Sequence, residues 1–338
     1  MNDVTSYTKK DFVSDQDIRW CSGCGDYHIH TALTSTWAKL GIPRENFVVV
    51  SGIGCSSRFP YYTSTYGFHT IHGRAPTVAL GIKLANPELS VWVITGDGDG
   101  LSIGGNHLLH TIRRNPDINI ILFNNEIYGL TKGQTSPTSQ KGLKTKSTPL
   151  GSIDSPVNAL QLAITAGSTF LARVIDTNLP MMREVFKKAS DHKGVSFVEN
   201  YTNCVIFNDG AFAEVESRKE RKDTTLELAH GKPMIFGANS DRGIRLSGLK
   251  PEVVTIGENG ITENDLLVHD ETNDDPVYAT MLANMKGPEF PLPVGVIRKI
   301  ERPTYEISVK DQERNAAAAK PPKLKDLLCS ADSWTVDD

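Results

Sequence analysis

No apolar run in this 338-residue chain approaches the roughly 20 residues that a membrane-spanning helix needs. Met1 to Trp20 holds no apolar signal-peptide core, so a cytoplasmic protein is expected. An excess of positive charge is missing as well. Lys and Arg number 36 against 40 Asp and Glu, a net charge of −4, so neither nucleic acid nor membrane is expected as a partner. Cysteines are few and odd in number: Cys21, Cys24, Cys55, Cys204 and Cys329. That argues against a disulfide framework and leaves the thiols as metal ligands, nucleophiles or buried fillers. Internal repeats and extended low-complexity segments are also absent. What remains, 39% hydrophobic and 22% charged, is the make-up of one large domain with an extension or of two modest domains.

Residues 1–19 read as a polar arm. From Phe47 to Tyr201, short β-branched runs alternate with amphipathic stretches. Strands are predicted at Phe47–Val50, Val91–Ile94, Ile118–Phe123, Phe170–Ile175 and Val195–Val198. Helices are predicted at His28–Leu40, Gly105–Arg114, Pro156–Ala166 and Leu179–His192. In the last, Met182, Val185, Phe186 and Ala189 recur at offsets of three and four, which is one apolar helix face. The alternation predicts an α/β fold over about residues 20–210, a mostly parallel sheet with helices on both faces. Beyond it, 211–338 read as an extension and tail. It holds a mixed-charge run from Ser217 to Asp223, β-like pieces over 233–260 with a possible hairpin turn at Asn259-Gly260, and an Ala-rich linker at Ala316–Pro322.

The most informative unit joins Thr95-Gly-Asp-Gly-Asp-Gly100 to Asn124-Asn-Glu-Ile-Tyr-Gly129. Asn125 follows Asp97 by 28 positions, the length of one strand–helix–strand return. Such a return brings both residues to the carboxyl ends of strands in one sheet, where α/β proteins bind ligands. Asp97 offers a carboxylate, Asn125 an amide oxygen and Ile127 a backbone carbonyl, a donor set suited to Mg²⁺ holding phosphate. Glycines at 96, 98 and 100 let backbone N–H groups approach anionic oxygens. Gly-Asp-Gly followed by Asn-Asn at this distance is the thiamine diphosphate motif, and the unit resembles that cofactor's diphosphate-binding domain.

The cysteines pose a separate question. Cys21-Ser-Gly-Cys24 is followed 31 residues later by Cys55 and 149 residues after that by Cys204. A pair with two distant thiols suits a [4Fe–4S] cluster, while zinc remains an alternative on spacing alone. Cys329, in the tail, is the spare.

Five ordered motifs now converge. Trp20-Cys-Ser-Gly-Cys-Gly25, Gly52-Ile-Gly-Cys55, His72-Gly-Arg-Ala75, Gly96-Asp-Gly-Asp99 and Tyr128-Gly-Leu-Thr-Lys-Gly-Gln134 together resemble the β subunit of 2-oxoacid:ferredoxin oxidoreductases, most of all the 2-oxoglutarate enzymes. The resemblance implies a thiamine-diphosphate-binding fold and a cytoplasmic αβ or (αβ)2 assembly. It also implies conversion of 2-oxo acid, coenzyme A and oxidised ferredoxin to acyl-CoA, carbon dioxide and reduced ferredoxin. Pyruvate or a broader 2-oxo acid range is the alternative substrate, and a non-redox decarboxylase with structural zinc the alternative enzyme. By motif, Cys21, Cys24, Cys55 and Cys204 would hold one [4Fe–4S] cluster, and Asp97, Asn125 and Ile127 the Mg²⁺. Gly96, Gly98, Asp99, Gly129 and Thr131 would surround the diphosphate, with Ile53, Gly54, Cys55, Ser56, His72 and Gly73 near the thiamine. The glutamate that activates the cofactor is absent from these motifs and would come from the α subunit.

Two residues are substrate-side candidates. Arg58, three positions after Cys55, has the guanidinium that a second substrate carboxylate needs, and 2-oxoglutarate carries one. Leu130 would shape the pocket. Lys132, Lys141, Lys144 and Lys146 form a basic stretch that reads as a solvated loop more than as a ferredoxin dock.

Overall fold

The computed structural model describes residues 6–319 and 323–329, with 334 and 336. The β-branched runs form the sheet, and their alternation sorts side chains to its two faces. In strand β1 (Phe47–Ser51), Val48 and Val50 face one core, and Phe47 and Val49 the other. Strand β2 (Tyr66–His69) follows, then helix α1's counterpart in chain order: α1 (Asp26–Trp37) precedes β1, and α2 (Ala75–Ala85) leads to β3 (Ser90–Gly96). In β3, Val91 and Val93 join the first core and Trp92 and Ile94 the second. Helix α3 (Gly105–Ile112), β4 (Ile118–Asn124), α4 (Ala159–Thr165), β5 (Phe170–Ile175), α5 (Leu179–Asp191) and β6 (Ser196–Tyr201) complete the α/β run. All five predicted strands are present. Helix α1 begins two residues early and stops at Trp37, while α4 starts only at Ala159, where Asn158 Oδ1 accepts the Gln161 N–H at 3.2 Å as its cap.

The strand order is β2-β1-β3-β4-β6-β5, all parallel. Two further strands extend this sheet: β11 (Leu292–Lys299) pairs antiparallel with β5, and β7 (Thr225–Glu227) pairs parallel with β11. Helices α2, α3 and α4 cover one face, together with α8 (Pro276–Asn284); α1 and α5 cover the other. Burial on both faces is why the central strands read as near-continuous apolar runs.

The predicted boundary near residue 210 is therefore not a break in the sheet, because the extension supplies two of its strands. Short helices α6 (Ala213–Glu216) and α7 (Arg221–Thr224) precede β7, and between β7 and β11 lies a small antiparallel sheet of β8 (Ile235–Phe236), β9 (Arg242–Ser247) and β10 (Lys250–Thr255). The hairpin turn falls at Gly248-Leu249. Asn259-Gly260 instead makes a later turn, both residues at positive φ (48° and 76°). The mixed-charge run leads into α7. Ala316–Ala319 close helix α9 (Tyr305–Ala319), and positions 320–322 of the expected linker lie outside the described residues. The N-terminal arm is less polar in role than its composition implies: Phe12 is fully buried against Trp37 and Phe47.

Candidate active site

The loops after β1, β3 and β4 leave the sheet at one edge and enclose a cavity of about 560 Å³. Chain direction explains its place. The β1 loop runs outward to β2 while the β3 connection runs the opposite way to β4, so a crevice opens between them at the carboxyl ends. Its volume is that of a small-molecule site. Ile53, Gly54, Cys55, Ser56 and His72 line it from one side. Gly96, Asp97, Gly98 and Asp99 form the floor, and Asn125, Ile127, Gly129, Leu130 and Thr131 form the far wall. These fourteen residues were all singled out from motifs up to 78 positions apart in the chain.

The glycines are required by close approach. A Cβ on Gly98 would lie 2.2 Å from the Tyr128 ring, whose hydroxyl donates to the Gly98 carbonyl at 3.0 Å. A Cβ on Gly52 would lie 2.0 Å from Asp99 Oδ2. Gly98 has helical backbone angles (φ −66°, ψ −31°) and lines the cavity.

Asp97 is 2% exposed, and burial pushes its carboxyl up to about 6, although hydroxyls from Ser136 and Thr138 partly offset this. A buried carboxylate with no cationic side chain beside it among the described residues fits a bound cation, which would restore its ordinary ionisation. Asn125 and Ile127 reach the same cavity on either side of Glu126, a non-glycine residue at φ 56°. Among the described residues, no three His, Cys, Asp or Glu side chains are close enough to hold a metal ion. That is compatible with a donor set of one carboxylate, one amide and one main-chain oxygen completed by phosphate.

Asp99, in the cavity floor, also joins the surrounding loops. Its Oδ1 accepts from the N–H groups of Ile53 (3.0 Å) and Gly73 (2.7 Å) and pairs with His72 Nδ1 (2.8 Å). Its Oδ2 accepts from the Thr95 hydroxyl at 2.6 Å. The carboxylate thus ties three loops together. Gly73 lies behind the cavity wall, held by this contact.

The four cysteines of the cluster set are brought into one region. Cys55 and Cys204 both place their sulfurs 3.6 Å from where a Cβ of Gly129 would sit. The Cys21–Cys24 loop packs on the Cys204 loop, with the Gly25 N–H donating to the Asn203 carbonyl at 3.3 Å and Gly23 against Val205. Burial and the Asp26 carboxylate push the Cys55 thiol up to about 12 and raise Cys24 further in the same direction. These two thiols would ionise together only beside a positively charged core. Cys329 is exposed and remote in sequence from the others.

Arg58 does not line the cavity. Its Nε donates to the Tyr62 hydroxyl at 2.7 Å, and the guanidinium stands 5.8 Å from the Tyr62 ring centre and 6.0 Å from that of Tyr61. Its two terminal nitrogens have no hydrogen-bond partner among the described residues. Asp26, Phe123, Tyr128 and Gln134 line the cavity without having been singled out. Tyr128 and Gln134 stood inside a quoted motif; Asp26 stood two positions past Cys24. Asp26 is buried, and burial and then the nearby Asp176 charge push its carboxyl up to about 7.

Residues 52–200 match the family model of the thiamine pyrophosphate enzyme C-terminal TPP binding domain. The chain is 50% identical over 333 residues to the 2-oxoglutarate oxidoreductase subunit KorB of Mycobacterium tuberculosis, covering 97% of this chain and 88% of that one. It is 46% identical over 195 residues to the β subunit of 2-oxoacid:ferredoxin oxidoreductase 1 of Aeropyrum pernix, covering 58% and 61%. Its structure superposes with a TM-score of 0.77, at 31% identity and 98% coverage of both chains, on a 2-oxoglutarate:ferredoxin oxidoreductase from Magnetococcus marinus solved with 2-oxoglutarate, coenzyme A and succinyl-CoA. The shared motifs, the sheet and the near full-length identity agree: this chain belongs to the β subunits of the 2-oxoacid:ferredoxin oxidoreductases.

Proposed function

We propose that this chain is the catalytic β subunit of a 2-oxoglutarate:ferredoxin oxidoreductase. The complete enzyme would convert 2-oxoglutarate and coenzyme A to succinyl-CoA and carbon dioxide, with electrons leaving through one [4Fe–4S] cluster to ferredoxin, or run the reverse carboxylation. One observation carries the reading: Cys55 lines the same cavity as Asp97, Asn125 and Ile127. Cofactor and electron acceptor would then be neighbours. When bound, thiamine diphosphate supplies the electron sink for decarboxylating a 2-oxo acid, and the cluster takes up electrons singly.

The protein's own part is placement. Asp97, Asn125 and the Ile127 carbonyl would hold Mg²⁺, and the backbone at Gly98 and Gly129 would meet the diphosphate. His72, with Nδ1 pinned by Asp99, keeps its ring at the cavity wall. Cys21, Cys24, Cys55 and Cys204 would hold the cluster beside Gly129, whose backbone lies close to two of the sulfurs. Arg58 would offer its unpaired fork to the distal carboxylate of 2-oxoglutarate. An α subunit would supply the cofactor-activating glutamate, since the acidic residues lining this cavity are Asp26, Asp97 and Asp99.

The test is co-purification with the partner chain, metal analysis and viologen reduction. A brown protein with about four irons per chain that reduces viologen with 2-oxoglutarate and coenzyme A is expected, with pyruvate much slower. Zinc in place of iron, or pyruvate turned over as fast, would defeat the cluster and the substrate assignments respectively.

A further inference from the structure

Residues 136–139, Ser-Pro-Thr-Ser, lie outside the cavity and outside every motif above, yet they grip both arms of the candidate metal site. The Ser136 hydroxyl donates to Asp97 Oδ2 at 2.5 Å, and Thr138 Oγ1 reaches the same oxygen at 2.6 Å. Thr138 Oγ1 also stands 2.9 Å from Asn124 Oδ1, the residue before the Asn125 ligand. Ser139 Oγ accepts the Ser136 N–H at 2.8 Å and donates to the Glu126 carbonyl at 2.5 Å. All three hydroxyl residues are buried.

Two consequences follow from the chemistry. Both Ser136 and Thr138 address Oδ2, and no side chain among the described residues makes a hydrogen bond to Oδ1. One carboxylate oxygen is thereby committed and the other left for a cation. Hydroxyls do this without adding positive charge, whereas a Lys or Arg in their place would compete with the cation for the same carboxylate. On the opposite arm, Glu126 holds a left-handed φ of 56° that costs energy for a residue with a side chain. Ser139 fixes its carbonyl, Gln140 Nε2 donates to its Oε1 at 2.7 Å, and Asn208 Nδ2 donates to the Asn125 carbonyl at 3.0 Å. This is the over-determination that a strained residue between two ligands needs.

We propose that Ser136, Thr138 and Ser139 are positioning residues that set which oxygen of Asp97 meets the metal and hold the Asn125–Ile127 arm in register with it. The proposal rests on the reading of Asp97, Asn125 and Ile127 as metal ligands. Its test is Mn²⁺ titration, followed by electron paramagnetic resonance and calorimetry, of the full chain with its partner chain at saturating thiamine diphosphate. Removing outer partners of a metal ligand commonly weakens binding by about 10- to 100-fold, and Ser136→Ala with Thr138→Val should lose Mn²⁺ affinity in that range. Thr138→Ser, which keeps the hydroxyl, should restore it in the Ser136-intact chain, with iron content and circular dichroism unchanged throughout. Asp97→Ala separates the two levels of the argument. Loss of Mn²⁺ binding in Asp97→Ala but wild-type affinity in the hydroxyl-deleted variant overturns the positioning role. Wild-type affinity in both overturns the metal site itself. Should the double variant not fold, Ser136→Ala alone is expected to show a smaller weakening in the same direction, and unchanged affinity there overturns the proposal.

Discussion

Under the proposed function, Arg58 would be the residue whose chemistry separates substrates. Its Nε is spent on Tyr62 and its guanidinium lies near the Tyr61 and Tyr62 rings, while its terminal nitrogens have no partner among the described residues. A planar fork held in this way is suited to a carboxylate and wasted on a methyl group. Arg58→Ala should therefore raise the Michaelis constant for 2-oxoglutarate by roughly tenfold or more, since a charged hydrogen bond contributes about 1.5–3 kcal/mol, and leave that for pyruvate nearly unchanged. Equal effects on both substrates would assign Arg58 to packing beside Cys55 instead. Asp99 makes a complementary case. Four donors converge on one buried carboxylate, and each one stranded by Asp99→Ala costs about 1–3 kcal/mol. That variant should melt earlier and bind thiamine diphosphate weakly by calorimetry. Asp99→Asn keeps one accepting oxygen and should fall between the two.

At the scale of elements, legibility followed from whether the signal is local. The β1, β3, β4, β5 and β6 strands are apolar on both faces because both faces are covered, so each announces itself in a few residues. Strand β2 is exposed along its length and offered no apolar run. Helix α2 presents the small residues Ala75 and Ala79 to the core, carries Pro76 at its start and Gly81 within, and so lacks the bulky stripe that marks α5. Strand β11 follows a proline-rich turn and contains Pro293 and Gly295. Its burial depends on β5, more than 110 residues earlier, and no local pattern reports that partnership. The site divides in the same way. Motif residues at strand ends were readable; the hydroxyl grip of Ser136 and Thr138 on Asp97 and the Asp26 carboxylate in the wall depend on loops returning in space. The β11 pairing has a direct consequence. Ending the chain before Leu292 would expose the edge of β5 and strip Val294, Val296 and Ile297 from the cores. Such a truncation should be insoluble, whereas ending it after Ala319 should leave folding and iron content intact, as judged by circular dichroism and metal analysis.

For the whole molecule, ionisation and assembly are coupled to what the fold buries. Burial pushes His30 and His192 down to about 4, His30 beside the Tyr62 carbonyl and His192 against the Thr169 hydroxyl. Both are neutral in the folded state where the unfolded chain would already be charged. Their stability contribution is complete above about pH 6.5 and lost as pH falls toward 4, at about 1.4 kcal/mol per pH unit for each. Asp97 and Glu126, raised to about 6 and about 7 chiefly by burial, act in the opposite sense. The histidine effect is thus read as a difference: His192→Gln should show a shallower loss of urea midpoint between pH 6.5 and 4.5 than wild type, and parallel curves would refute it. The proposed α interface would lie at the cavity rim. Ile71 is 75% exposed, Ile103 59% and Leu130 51%; Ile71 adjoins His72, Ile103 backs the Gly73–Gly104 contact and Leu130 lines the cavity itself. Apolar side chains gathered at the mouth of a site that has no glutamate of its own mark where the α subunit would close it. Replacing Ile71 and Ile103 by Glu should abolish co-purification with the α chain and all turnover, yet leave thiamine diphosphate binding and iron content of the β chain unaltered. Retained co-purification would move the α interface to another face of the sheet.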